Sequence, residues 1–269
     1  MKSPLIDRLV EERKGEPIVL GHRGVRNGDV PENTLAAFEE AFRRGASGIE
    51  IDVESTLDGK LIIINRWFLK SQFGIFPWEK SHESILQLAR EKNIEIPTFF
   101  EGCEFIKKME NSIFNVEIKS SHPFICHTAR KVVDIIRSQG IDSQVIISSF
   151  DLNTLLTTRF YHRTIETAYL FRSVDRVVKI EDRNTWRYKI SSLINRTGIK
   201  GVLAGVDTLH PEISLFPDNA EKGGKLWMKV ARRMDKRVNA WTVDTKEELA
   251  KAMDAGVRVV ISDSVESII

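Results

Sequence analysis

The chain has 269 residues, of which 42% are hydrophobic and 29% charged, with a formal net charge of +2 at pH 7. That length can bury one large core, α/β barrels reach it as a single domain, and the composition excludes a disordered or fibrous chain. So small a net charge, without any run of roughly five or more Lys/Arg, argues against a nucleic-acid partner, so any charged ligand must be recognised locally.

Residues 1–16, MKSPLIDRLVEERKGE, mix charges of both signs and hold no apolar core like that of a signal peptide. No later stretch approaches the roughly 18 apolar residues of a membrane span. A cytoplasmic protein with no membrane span is therefore expected. Cys103 and Cys126 fall in helical patterns without CxxC or Cys/His spacing, which predicts packed or free thiols.

Short β-branched runs alternate with amphipathic stretches, the pattern of βα units around a parallel sheet. Strands are predicted near Ile18–His22, Gly48–Val53, Ile113–Ile118, Val145–Ser149, Ile165–Leu170, Gly201–Val206, Val238–Thr242 and Arg258–Ile261. Helical patterns cover Glu32–Arg44, Pro123–Ser138, Asp218–Lys236 and Lys246–Ala255, and Gly45, Gly140 and Gly256 stand where a helix C′ residue needs positive φ. Eight such units favour a closed α/β barrel, a (β/α)8 TIM barrel, spanning 1–269 as one domain.

Leu61–Ile64 breaks the alternation. It follows the second strand after Asp58-Gly59, a strong hairpin signal, and a two-residue turn there would set Asp52 opposite Asn65. The second strand thus overshoots the barrel top as a β-hairpin arm that returns a side chain to the mouth. Residues 66–97 form a small insertion with Trp67, Phe68, Phe73, Phe76 and Trp78, then a helix over Glu83–Lys92. The aromatics suit either a cap over the site or a satellite core.

The first strand ends in Gly21-His22-Arg23-Gly24, with Pro31-Glu32-Asn33-Thr34 opening the next helix. Histidine exchanges a proton near neutral pH, and arginine grips phosphate through its planar fork. The plainer role is an Arg23–Glu32 pair with His22 closing the core. Glu50-Ile51-Asp52 places two carboxylates on one side of its strand, and Glu117-Ile118-Lys119 adds a third with a lysine. Side-by-side carboxylates repel unless a cation or base lies between them. Three of them without cysteine suit one hard divalent cation, Mg2+ or Ca2+, although Arg23 and Lys119 could instead close a buried salt-bridge network.

Together with Ser148-Ser149-Phe150-Asp151, Trp241-Thr242-Val243-Asp244 and Ile261-Ser262-Asp263, these motifs resemble the glycerophosphodiester phosphodiesterase family in order and spacing, from about Ile18 to Ser264. The resemblance implies that Glu50, Asp52 and Glu117 are metal ligands, that Arg23 and Lys119 contact the substrate phosphate, and that Trp241 lines the pocket. It implies hydrolysis of glycerophosphodiesters to glycerol phosphate and an alcohol, with His22 and a second histidine as acid and base. Where that second histidine is expected, before an aspartate, this chain reads Asn65-Arg66.

Asparagine can donate to a phosphate oxygen or offer its carbonyl to a cation, but it exchanges no proton at neutral pH. Impaired catalysis, or a non-catalytic phosphate- or metal-binding barrel, is the alternative that follows. His122 on the next βα loop, or His82 in the insertion, could substitute, and His210 near Asp207 could touch substrate; His127 and His162 read as structural. The resemblance implies a small phosphodiester as the substrate. The headgroup, the choice of metal and the oligomeric state stay open.

Overall fold

Period-two side-chain alternation determines what each strand offers to the inside of the barrel. In the computed structural model, which describes residues 3–26, 30–119, 125–173, 194, 197–217 and 226–269, nine strands form one sheet. They are β1 (Ile18–His22), β2 (Gly48–Ser55), β3 (Leu61–Ile63), β4 (Ile113–Ile118), β5 (Val145–Ser149), β6 (Glu166–Phe171), β7 (Thr208–Pro211), β8 (Arg237–Ala240) and β9 (Val259–Ser262). Their order is β1-β9-β8-β7-β6-β5-β4-β2-β3, and β1 also pairs with β2, so all but β3 close a parallel (β/α)8 barrel. Closure removes every sheet edge except that of the arm.

A cluster of Ile18, Leu20, Ile113, Ile146, Ala168, Val259 and Ile261 fills the lower barrel, and Ile6 of the N-terminal helix α1 (Pro4–Glu12) packs into it. A larger core between barrel and helices includes Phe38, Phe99, Phe114, Val133 and Trp227. Two residues above Leu20 on β1 comes His22. By the same parity β2 presents Glu50, Asp52 and Glu54, β4 presents Asn115 and Glu117, and β9 leads to Asp263. The register aligns them: His22 pairs with Glu50, and Asp52 with Glu117.

Three sequence expectations are corrected. Gly201–Val206, the sixth predicted strand, is not a strand: Ile199–Leu203 is a short helix, and the strand that follows it is β7, Thr208–Pro211. A short apolar run does not distinguish a buried helix from a strand. Here packing decides, because a Cβ on Gly201 would come within 2.6 Å of the Tyr169 side chain, so the helix lies directly against β6. Second, Val53 pairs with Ile63 and Ser55 with Leu61, which sets Asp52 against Ile64, where Ile64 N donates to Asp52 O at 2.9 Å. The turn has three residues, not two. Gly59 N donates to Thr56 O and Gly59 itself has φ +74°, a type I turn closed by a left-handed glycine. Third, Glu32 precedes its helix, α2 (Leu35–Arg43), which is capped by the Thr34 side chain accepting from Ala37 N.

Other boundaries move by a residue or two, as helix and strand ends do: the last two barrel strands run Arg237–Ala240 and Val259–Ser262, and the Lys246–Asp254 helix ends before Ala255. Of the two helical patterns that enter undescribed segments, the described parts are Ile125–Gln139 and Leu226–Arg233. Gly45, Gly140 and Gly256 do take positive φ. The insertion folds as α3 (Arg66–Phe73), a 3-10 turn at Pro77–Glu79 and α4 (His82–Glu91). Leu69, Ile85 and Ala89 bury themselves with Ile62, Ile64 and Ile96 in a satellite core. Trp67 stays 66% exposed, so its indole lies outside that core. Among the described residues no helix is long and apolar enough to cross a membrane.

Candidate active site

The C-terminal ends of β1, β2, β4 and β9 bring most of the site together. Glu50, Asp52 and Glu117 are buried and offer carboxylate oxygens all within 4.8 Å of one another. Lys119 Nζ lies 2.6 Å from Asp52 Oδ1 and 2.5 Å from Glu117 Oε1. Arg23 Nε lies 2.9 Å from Asp52 Oδ2, and its NH1 is 2.6 Å from Glu32 Oε1. The salt-bridge network foreseen from the sequence is therefore present on the same residues that suit a cation. Arg23 has φ 55°, a left-handed conformation uncommon for a non-glycine residue, and its N–H donates to Glu50 Oε2 at 3.1 Å.

These contacts set the protonation chemistry. Burial pushes the Glu50 carboxyl up to about 7, helped by Asp52 and Glu117 and opposed by His22. Burial would also raise Asp52, but Lys119 and Arg23 outweigh it and hold that carboxyl well below the usual range. For Lys119 and Arg23 burial works against the charge, but the facing carboxylates together outweigh it, Asp52 foremost, joined by Glu117 and Glu50 for Lys119 and by Glu32 and Glu50 for Arg23, so both stay cationic. The donor set, three carboxylates without sulfur or nitrogen, fits a hard divalent cation.

His22 Nδ1 lies 2.5 Å from Asp263 Oδ1, and its Nε2 lies 3.7 Å from Glu50 Oε2. An ionised carboxylate can only accept, so Nδ1 carries the proton and Nε2 is the nitrogen turned toward the triad. Burial opposes the imidazolium, yet Glu50 and the Asp263 hydrogen bond outweigh it and raise the His22 pKa. Arg26 NH1 braces the other Asp263 oxygen at 3.0 Å.

Asn65 caps α3: its Oδ1 accepts from Trp67 N at 3.0 Å, while its Nδ2 donates to Asp52 Oδ2 at 2.8 Å. Asn33, itself left-handed at φ 61°, accepts from Asp52 N at 3.2 Å. Arg66 Nε donates to Glu54 Oε1 at 2.5 Å, and its guanidinium lies 5.4 Å from the Trp78 ring centre. Glu54 is buried, which pushes its carboxyl up to about 8 against the pull of Arg66.

The mouth is a cleft of about 380 Å3 lined by His22, Arg23, Asn65, Arg66, Trp67, Glu117, Lys119, Phe150, Arg172 and Trp241, among others. Trp241 donates its indole N–H to His210 O at 2.8 Å and meets Phe150 edge-on. Of the sequence candidates, His22, Arg23, Asn65, Glu117, Lys119 and Trp241 line the cleft, with Glu50 and Asp52 beneath them.

The other histidines do not gather there. His210 is wholly buried on β7 against Asn239, and burial lowers its pKa to about 3. His82 donates its backbone N–H to Asp58 at the arm's turn. His127 lines a separate cleft beside Lys131, and His162 lies 3.2 Å from Asp142. His122 lies outside the described residues, as does the side chain of Cys126; Cys103 is a free, buried thiol. Asp263, Glu54 and Arg172 received no role from the sequence, although each stands at the inward parity of its strand, which is the signal that finds them.

A family model described as the glycerophosphoryl diester phosphodiesterase family matches residues 22–267. A glycerophosphodiester phosphodiesterase of Caldanaerobacter subterraneus is 28% identical over 265 residues, covering 94% of this chain and 96% of its own. The solved structure of a glycerophosphodiester phosphodiesterase from Thermotoga maritima matches with TM-score 0.65 at 26% identity, covering 93% of this chain and 96% of its own. A phosphodiesterase from Oleispira antarctica, solved with the product sn-glycerol-3-phosphate, shares the fold with TM-score 0.70 at 21% identity over 95% of this chain and 96% of its own.

Proposed function

Because this chain belongs to the glycerophosphoryl diester phosphodiesterase family, we propose that it hydrolyses small glycerophosphodiesters to glycerol phosphate and an alcohol within a single-domain barrel. The observation that carries this reading is the triad of Glu50, Asp52 and Glu117 with Arg23 and Lys119 alongside, at the end of the barrel where such enzymes keep their sites. Glu50, Asp52 and Glu117 are the residues that would hold a divalent cation, Mg2+ or Ca2+. Such a cation, when bound, supplies Lewis-acid neutralisation of charge on a phosphoryl oxygen.

The chain's own groups do the rest. Arg23 and Lys119 bind the non-bridging phosphate oxygens, and Trp241 forms a wall of the cleft. His22, oriented by Asp263 through Nδ1, holds its exchangeable proton at Nε2 and delivers it to the alkoxide as the P–O bond breaks. Water supplies the oxygen that adds to phosphorus and releases its proton to solvent, from which His22 Nε2 is reprotonated, so that one water is consumed for each P–O bond broken. Asn65 moves no proton: it holds Asp52 and starts α3, so its work is positioning. A cytoplasmic setting completes the reading, in keeping with the free thiol of Cys103.

One observation favours a second reading, a barrel that binds phosphodiesters without turning them over. Both polar atoms of Asn65 are committed to the fold, and no described histidine other than His22 lines the cleft. The test is hydrolysis of glycerophosphocholine and a panel of simple diesters by native protein and by Asn65→His, each with Mg2+, with Ca2+ and with chelator. Metal-dependent turnover by the native protein supports the hydrolase, and Asn65→His is then expected to raise it by about 10²-fold or more. Turnover confined to Asn65→His gives the lead to the binding protein.

A further inference from the structure

Resting on the hydrolase reading, we infer that the cleft carries a second anion subsite, built on Arg172 and Arg66, that favours diesters whose alcohol bears a carboxylate or phosphate over those with a neutral or cationic alcohol. The two cations beside the carboxylate triad are matched by acids: Arg23 by Glu32 and Asp52, Lys119 by Asp52 and Glu117. Arg172 is different. It follows β6, lines the same cleft, and among the described residues it makes no ion pair.

Arg172 is nonetheless held. Its guanidinium lies 5.3 Å from the centre of the Phe150 ring, and Phe150 packs edge-on against Trp241 with ring centres 5.6 Å apart. This stack fixes a positive charge beside the wall of the cleft and occupies the face of Phe150. An aromatic face is what a quaternary ammonium headgroup would use, and here a cation already sits on it.

Arg66, which also lines the cleft, contributes a second guanidinium. Glu54 holds its Nε and its Cζ lies over the Trp78 ring, while its Nη2 has no hydrogen-bond acceptor among the described residues. A guanidinium braced in this way loses little freedom on meeting an anion, and a charge-assisted contact is stronger than one to a neutral hydroxyl. A headgroup carboxylate or phosphate suits these two arginines; a choline-like group would meet repulsion from Arg172, whose charge no described acid offsets.

The test compares kcat/KM for four diesters with the same glycerophosphoryl half: glycerophosphocholine, glycerophosphoglycerol, glycerophosphoglycerate, whose alcohol bears a carboxylate and no amine, and glycerophosphoglycerol phosphate. The anionic alcohols are expected to exceed glycerophosphoglycerol by about tenfold, with glycerophosphocholine lowest. Preference for both anionic alcohols assigns the subsite to any anion, and preference for the phosphorylated one alone narrows it to phosphate. Arg172→Gln should remove most of that ratio and Arg172→Lys should keep much of it, with melting temperatures close to that of the native protein. Equal values across the four diesters, a preference for glycerophosphocholine, or a ratio unmoved by Arg172→Gln overturns the inference and leaves the hydrolase reading standing. If the native protein turns over none of them, that reading fails. The same ratio, measured as calorimetric affinity for native protein and Arg172→Gln, then decides the subsite alone.

Discussion

Asn65 Nδ2 donates to Asp52 Oδ2 across 2.8 Å, while its Oδ1 accepts from the first turn of α3, with Trp67 N at 3.0 Å. One amide thereby ties the returning hairpin arm to the carboxylate at the centre of the triad. Replacing it with alanine removes an N-cap and a hydrogen bond to a buried charge. Asn65→Ala is expected to lose about 1–2 kcal/mol of stability, read as a lowered midpoint in urea. An unchanged midpoint would show that the cap does not contribute.

His22 and Asp263 form the second relationship that acts on chemistry. Asp263 lies at Nδ1, so Asp263→Asn should lower kcat by about 10–100-fold with a smaller effect on KM, because it orients the imidazole without touching substrate. The carboxylate helps to raise the His22 pKa, and its loss should move the histidine titration to lower pH. Proton NMR of the His22 ring in metal-free protein reads this directly. A titration that stays in place would separate Asp263 from His22.

The triad predicts linkage between cation and fold. A cation bound at 100 times its dissociation constant stabilises by about 2.7 kcal/mol. Mg2+ or Ca2+ added to chelator-treated protein should therefore raise the melting temperature by several degrees, and Glu117→Gln should abolish most of that rise. Equal rises in native and Glu117→Gln protein would remove Glu117 from the ligand set.

His210 predicts a pH dependence of stability. Burial lowers its pKa to about 3, against an ordinary 6.5, so the fold holds it neutral while the unfolded chain protonates. A lowered folded pKa gives stability that is present above the ordinary value and lost as pH falls toward the folded one. Between about pH 6 and 4 the native protein should lose about 1.4 kcal/mol more per pH unit than His210→Gln does. Urea unfolding across that window gives both slopes, and parallel slopes would refute the neutral buried imidazole.

The motifs were legible because barrel strands are short and each ends at the mouth. Once Ile18–His22, Gly48–Val53 and Ile113–Ile118 are read as strands, parity alone turns His22, Glu50, Asp52 and Glu117 inward. Parity also reaches Glu54 and Arg172, which lie outside the motifs, and Asp263, which a motif contains but to which no role was assigned, because its partner His22 is far away in sequence.

By itself, then, the sequence determined the strand set apart from β7, the closed-barrel architecture and the carboxylate triad, since all depend on local periodicity and on residue chemistry at strand ends. Tertiary structure decided what depends on distant groups meeting. The Ile199–Leu203 run became a helix because Gly201 lets it lie against Tyr169. The arm's register moved by one residue because Gly59 adopts a left-handed conformation within a three-residue turn. His210 was withdrawn from the cleft because β7 carries it into the buried barrel interior. Asn65 reached Asp52 despite that change of register, because it stands just beyond the arm's last paired residue, where a helix cap and not the strand ladder sets the direction of its side chain.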